Sequence, residues 1–184
     1  MKGDQAEATS GRYLPADFSP SGPKIFRRDP ASSYAWWGNL VVVLGRQPPD
    51  AAHVANFRAA IVTLHEQYPR GVGLITVVND TSTPRPSGRE ALIATFRELW
   101  PRINAALLIP NASGFQAAAL RSVMGCLILA TGQRDRLKVE RSVAAGLPWL
   151  ATKLFGAEMG RPQLATLQQG IQAFCEAESA AVPP

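Results

Sequence analysis

With 184 residues the chain has the length of one domain, able to bury a core without disulfides or a metal as staples. Only 18% of the residues are charged, below the roughly 25% of an average soluble domain, so part of the surface is expected to be apolar enough to meet a partner. The net charge of +5 comes from 15 Arg and 4 Lys against 14 acids spread along the chain. The one basic cluster, Arg134, Arg136, Lys138 and Arg141, is interrupted by Asp135 and Glu140, which argues against a nucleic-acid stripe.

Residues 1–30 carry Gly, Pro, Ser and both signs of charge without a period, and read as a flexible N-terminal arm. The first residues lack an apolar signal core, and no run approaches the roughly 18 apolar residues of a membrane span, so a cytoplasmic protein is expected. Ser33 to Trp37 and Leu40 to Leu44 flank Gly38-Asn39 and read as a hairpin, with Trp36 and Trp37 on opposite faces. Asp50 then caps a helix that carries Val54, Phe57, Ile61, Leu64 and Tyr68 at steps of three and four. His53 and His65 stand on this helix about 120° apart at 100° per residue, too far around the axis to share a metal, and read as lone surface histidines.

Gly71 to Asn79 is an almost unbroken apolar, β-branched run, as a strand covered on both faces requires. The loop after it holds two prolines and four hydroxyl side chains from Thr81 to Ser87. Ser87-Gly-Arg-Glu90 fits a capping box opening a helix with Leu92, Phe96, Leu99 and Trp100 on its stripe. Ile103 to Ile109 reads as a second buried strand, and Ser113 to Ala130 as a helix with small residues pressed on the sheet. A short edge strand at Arg136 to Glu140 follows, then a helix capped by Ser142 in which Gly146 and Pro148 predict a break or kink. Arg161-Pro162 opens a last helix with Leu164, Leu167, Ile171, Phe174 and Cys175 on one face. That stripe must find apolar surface, either on its own domain or across a homodimer.

The order yields an α/β fold, a mixed sheet of four to five strands with helices packed on it and an extra C-terminal helix. Residues 31–155 form the α/β domain and 156–184 the C-terminal helix and tail. From about Ser33 to Phe155 this order resembles the STAS domain of bacterial anti-sigma-factor antagonists, in the looser SpoIIAA-like sense. The resemblance rests on the paired strands Tyr34-Ala-Trp-Trp and Leu40-Val-Val-Val-Leu, the strand Leu74 to Asn79, and the late segment Ser142 to Leu150. It implies a phosphorylatable serine where a helix starts after the central strand, within Asp-Ser-Ser-Gly. Ser87-Gly88 fits its last two positions, while Pro86 replaces the first Ser and the acid is missing.

The resemblance points to binding more than catalysis. In open α/β sheets ligands and partners meet the carboxyl ends of strands, so Asp80, Thr81, Ser82, Thr83, Arg85 and Ser87 are the candidates for partner binding or phosphorylation. The expected function is a regulatory module binding a protein partner through this loop. The alternative is a small-molecule or lipid carrier, with an apolar cavity between the sheet and the Ser113 to Ala130 helix. No nucleophile elbow, phosphate loop or carboxylate pair occurs, and no His, Cys or acid group has ligand spacing, so no enzyme, metal or cofactor is expected. Cys126 and Cys175 are expected to be buried free thiols.

Overall fold

The computed structural model describes residues 18, 21–79, 86–111, 125, 132–156 and 159–181. In chain order these form β1 (Lys24–Arg28), β2 (Ser32–Trp37), β3 (Leu40–Gly45), α1 (Ala51–Gln67), β4 (Val72–Val78), α2 (Pro86–Leu99) and β5 (Ile103–Pro110). β6 (Leu137–Val139), α3 (Val143–Phe155) and α4 (Arg161–Ala180) follow. The strands make one six-stranded sheet in the order of the sequence. β2 runs antiparallel to both β1 and β3, and β3, β4, β5 and β6 are parallel. The expected α/β architecture with a mixed sheet is therefore present, with six strands where four or five were expected. The predicted helix from Ser113 to Ala130, with Cys126, lies outside the described residues except for Gly125, which is helical.

The additional strand is β1, inside the segment read as a flexible arm. Its sequence, Lys-Ile-Phe-Arg-Arg, is exposed along its whole length, so it carries no two-residue apolar period from which burial could be read. It is held by pairing with β2 through Lys24↔Trp36, Ile25↔Ala35, Arg27↔Tyr34 and Arg28↔Ser33, with a bulge at Phe26. Between β2 and β3, Gly38 takes a φ of +54° while no described non-glycine residue has a positive φ, as a tight hairpin turn with glycine at its first central position needs.

Alternation along the strands divides the core into two layers. Tyr34, Val41, Val43, Leu74, Ala106 and Leu108 face α1 and α2, where they meet Phe57, Ile61, Leu64, Phe96 and Leu99. Ala35, Trp37, Val42, Leu44, Ile75 and Leu107 face α3 and α4. Trp36 and Trp37 accordingly point to opposite faces: Trp37 is buried beneath α4, and Trp36 is half-buried on the α1 side with Phe26 stacked on it at 4.3 Å. Phe57, Phe96 and Trp100 form a tilted aromatic row with centroids 5.1 and 5.7 Å apart.

α3 runs as one helix through Gly146 and Pro148, so of the break or kink expected there the break is absent. Ser142 caps it as predicted, accepting from the Ala145 N–H at 3.2 Å. Gly146 sits against Leu107 of β5, and the one bond Pro148 forgoes is to the carbonyl of Ala144, near the start of the helix. α4 lies on its own sheet, with Leu167, Ile171 and Phe174 buried in the same layer as Trp37 and Leu44. Of the two destinations expected for this stripe, its own domain or a homodimer, the first is the one present in the chain.

Candidate functional site

Polar side chains gather where the parallel strands end, because backbone pairing stops there and the next residues must find other partners. The ladder extends one residue past β4 and β5, with the Asn79 N–H donating to Gly45 O at 2.8 Å and the Asn111 N–H to Val78 O at 2.8 Å. Asn111 Nδ2 donates to Asn79 Oδ1 at 3.0 Å, and Asn79 Nδ2 donates to Ser179 Oγ of α4 at 3.1 Å. Asn79 is thereby held from two sides as the chain leaves the central strand.

The far end of the same loop is fixed by packing. α2 begins at Pro86, and a Cβ on Gly88 would stand 2.6 Å from the carbonyl oxygen of Pro49. Only a residue without a side chain lets α2 start this close to the turn before α1. Proline suits the first helical position, so Ser87 stands one residue inside the helix, a correction to its expected place as N-cap of a Ser87–Glu90 box. Asp80, Thr81, Ser82, Thr83 and Arg85 lie outside the described residues, as does the side chain of Ser87.

Two polar clusters beside this edge were not anticipated. In the first, Asp29 Oδ1 accepts from the N–H groups of Ala31 and Ser32 at 2.9 and 2.7 Å, and Asp29 Oδ2 accepts from Asn56 Nδ2 at 2.6 Å. Asp50 caps α1 as expected, through the His53 N–H at 2.8 Å. His53, read from sequence as a surface residue, is only 8% exposed. Its Nδ1 lies 2.6 Å from Ser32 Oγ and 3.1 Å from Tyr34 Oη. Burial lowers the His53 pKa, against the opposing pull of Asp29 and Asp50, and burial raises that of Tyr34. His53 therefore sits as a neutral imidazole between two hydroxyls.

In the second cluster Glu178, 2% exposed, comes from α4. Its carboxylate accepts from Arg28 Nε and Nη2 at 2.8 and 2.7 Å and from Ser33 Oγ at 2.6 Å. Arg46 Nη1 donates to Ser33 Oγ at 2.9 Å, and its Nη2 donates to Asp29 O at 2.8 Å, which joins the two clusters. The hydrogen bond and charge of Arg28 lower the Glu178 pKa although burial opposes them. A bidentate guanidinium–carboxylate pair with a third donor is a strong, directional tie, here locking α4 to the sheet edge.

Chemically these clusters are ties. Ser32 beside His53 has the spacing of a nucleophile and base, but Ser32 is fully buried, and among the described residues no carboxylate bonds the ring. No group of three or more His, Cys, Asp and Glu is arranged to hold a metal among the described residues, and no described helix is long and apolar enough to cross a membrane. Cys175 is a free thiol whose pKa burial pushes up to about 11. Comparison with protein-family models, with curated proteins and with solved structures finds no match.

Proposed function

We propose that this chain is a non-enzymatic, STAS-like cytoplasmic regulatory module that binds a protein partner through the loop joining β4 to α2. The observation that carries the reading is the mounting of that loop: Asn79 is held by Asn111 and Ser179 at one end, and Gly88 is packed on Pro49 at the other. A loop with fixed ends at the carboxyl edge of a sheet presents its side chains to a partner at a low ordering cost. The order of hairpin, helix, strand, helix, strand, edge strand and helix from β2 to α3 supports the STAS-like reading. The inaccessibility of Ser32 and Tyr34, whose hydroxyls both meet His53 Nδ1, favours binding over catalysis. A second reading, a small-molecule or lipid carrier, has in its favour a cavity of about 440 Å³ between α4 and the chain leading into β1, a different place from the one expected against the Ser113 to Ala130 helix, which lies outside the described residues except for Gly125.

The test is capture of partners from the native host with the wild-type chain and with Ser87→Ala, Ser87→Asp and Arg85→Glu. A partner recovered by the wild type and by Ser87→Ala, but lost or exchanged on Ser87→Asp or Arg85→Glu, places the contact on the loop, because added negative charge at a helix start is tolerated by the fold and felt by the partner. Identical recovery by all four chains would refute it. Native mass spectrometry of the purified chain checks the second reading, which expects a co-purifying small molecule.

A further inference from the structure

β1 is the last strand of the sheet, with no described strand on its outer side, and an open strand edge is a template for another strand. Its register settles what each side offers. Ile25 pairs with Ala35 and Arg28 with Ser33, which places both on the α4 side; Lys24 pairs with Trp36 and Arg27 with Tyr34, which places both on the α1 side. Phe26, the bulged residue, stacks on Trp36 and so joins the α1 side.

Three features meet at this edge. Ile25 and Phe26, 42% and 36% exposed, are the large apolar side chains that stand out to solvent among the described residues. On the α4 side a cavity of about 440 Å³ runs between Ile25, Gly22 and α4, lined by Trp37, Gly170 and Phe174. On the α1 side Lys24 and Arg27 have no acidic partner among the described residues, whereas Arg28 is consumed by Glu178. The edge is thus concave and mostly apolar on one side, where Thr166, Gln169 and Glu178 add polar groups to the lining, and cationic and aromatic on the other.

We propose that β1 is a docking edge for an extended segment of a partner protein in which acidic and apolar residues alternate, added as a seventh strand. Side chains of a strand alternate between faces, so such a segment sets its apolar residues into the cavity beside Ile25 and Trp37 and its acids beside Lys24 and Arg27. Backbone pairing supplies affinity, and the two unlike faces supply sequence preference and register. A second copy of β1 is excluded as the occupant by its own charge, since Lys24 and Arg27 would meet their like. This surface is independent of the β4–α2 loop, so either can fail without the other.

The test uses fluorescein-labelled nonapeptides of alternating glutamate and valine or alternating lysine and valine, titrated by fluorescence anisotropy onto the full chain. The glutamate peptide is expected to bind at least tenfold more tightly. The double variant Lys24→Glu, Arg27→Glu, checked for an unchanged thermal melt, is expected to reverse that order. Amide exchange should slow at β1 on binding. Absence of binding by either peptide would mean that the cations only keep strands away. Equal binding of both peptides, protection confined to another strand, or β1 protection growing with protein concentration alone would each overturn the proposal.

Discussion

His53 and Glu178 show how much a single side chain can hold, and both act in the same direction with pH. The ordinary imidazole value is near 6.5, and burial lowers that of His53 in the folded chain. As pH falls through 6.5 the unfolded chain takes up this proton first, so stability is lost from there down to the folded value. Glu178 is lowered from 4.5 mainly by its hydrogen bond to Arg28. Its contribution is complete above 4.5 and is lost as pH falls from there through the folded value. Urea midpoints should therefore fall in two stages, one starting near pH 6.5 and one below 4.5. His53→Gln should flatten the first stage and leave the second; an unchanged slope between pH 7 and 5 would show that His53 does not drive it. Neither residue was readable as a tie. His53 has its partners Ser32 and Tyr34 on a strand some twenty positions earlier, and no local period reports such a contact. Glu178 did leave a trace: it continues the stripe Leu167, Ile171, Phe174 by one more step of four, an acid where an apolar residue is due.

Elements with an apolar pattern were legible and the one without was not. α1 and α4 each bury a face whose spacing is visible in the residues, and β4 and β5 show as nearly unbroken apolar runs, while β1, held by pairing, the Phe26–Trp36 stack and the Arg28–Glu178 pair, left no pattern to read. Element contacts also depend on what is missing from a side chain. Gly170 of α4 rests on the ring of Trp37, and a Cβ there would overlap that ring. Trp37 is 3% exposed and meets Phe18 edge-on at 5.6 Å, so an added methyl would have to displace a packed ring. Overpacking of this kind costs about 1–3 kcal/mol, more than the up to 1 kcal/mol that alanine gains over glycine in a helix. Gly170→Ala should lower the thermal midpoint while the far-UV spectrum stays helical. A raised midpoint would mean that α4 can lift from Trp37 without loss. The candidate loop itself was legible only as a place, a polar break after a buried strand; the Asn79, Asn111 and Ser179 chain that fixes its root depends on three separate elements coming together.

At the scale of the molecule, the question is whether α4 is an accessory to a finished domain or a part of it. A SpoIIAA-like reading ends near Phe155 and treats the last helix as an addition, which left its stripe to be covered either by its own domain or by a second subunit. The sheet says otherwise: Trp37, Leu44 and Val42 belong to a layer that α3 and α4 cover together. Burying Leu167, Ile171 and Phe174 contributes about 1.5–3 kcal/mol each, and the sum is comparable with the whole stability of a domain, about 5–15 kcal/mol. The Arg28–Glu178–Ser33 tie then fastens the same helix to β1 and β2. A chain ending after Gly160 should therefore lose its cooperative unfolding transition and expose apolar surface, seen as bound hydrophobic dye and aggregation in light scattering. A truncated chain that remains a folded monomer, melting within a few degrees of the full one, would make α4 an addition after all and return the homodimer to consideration.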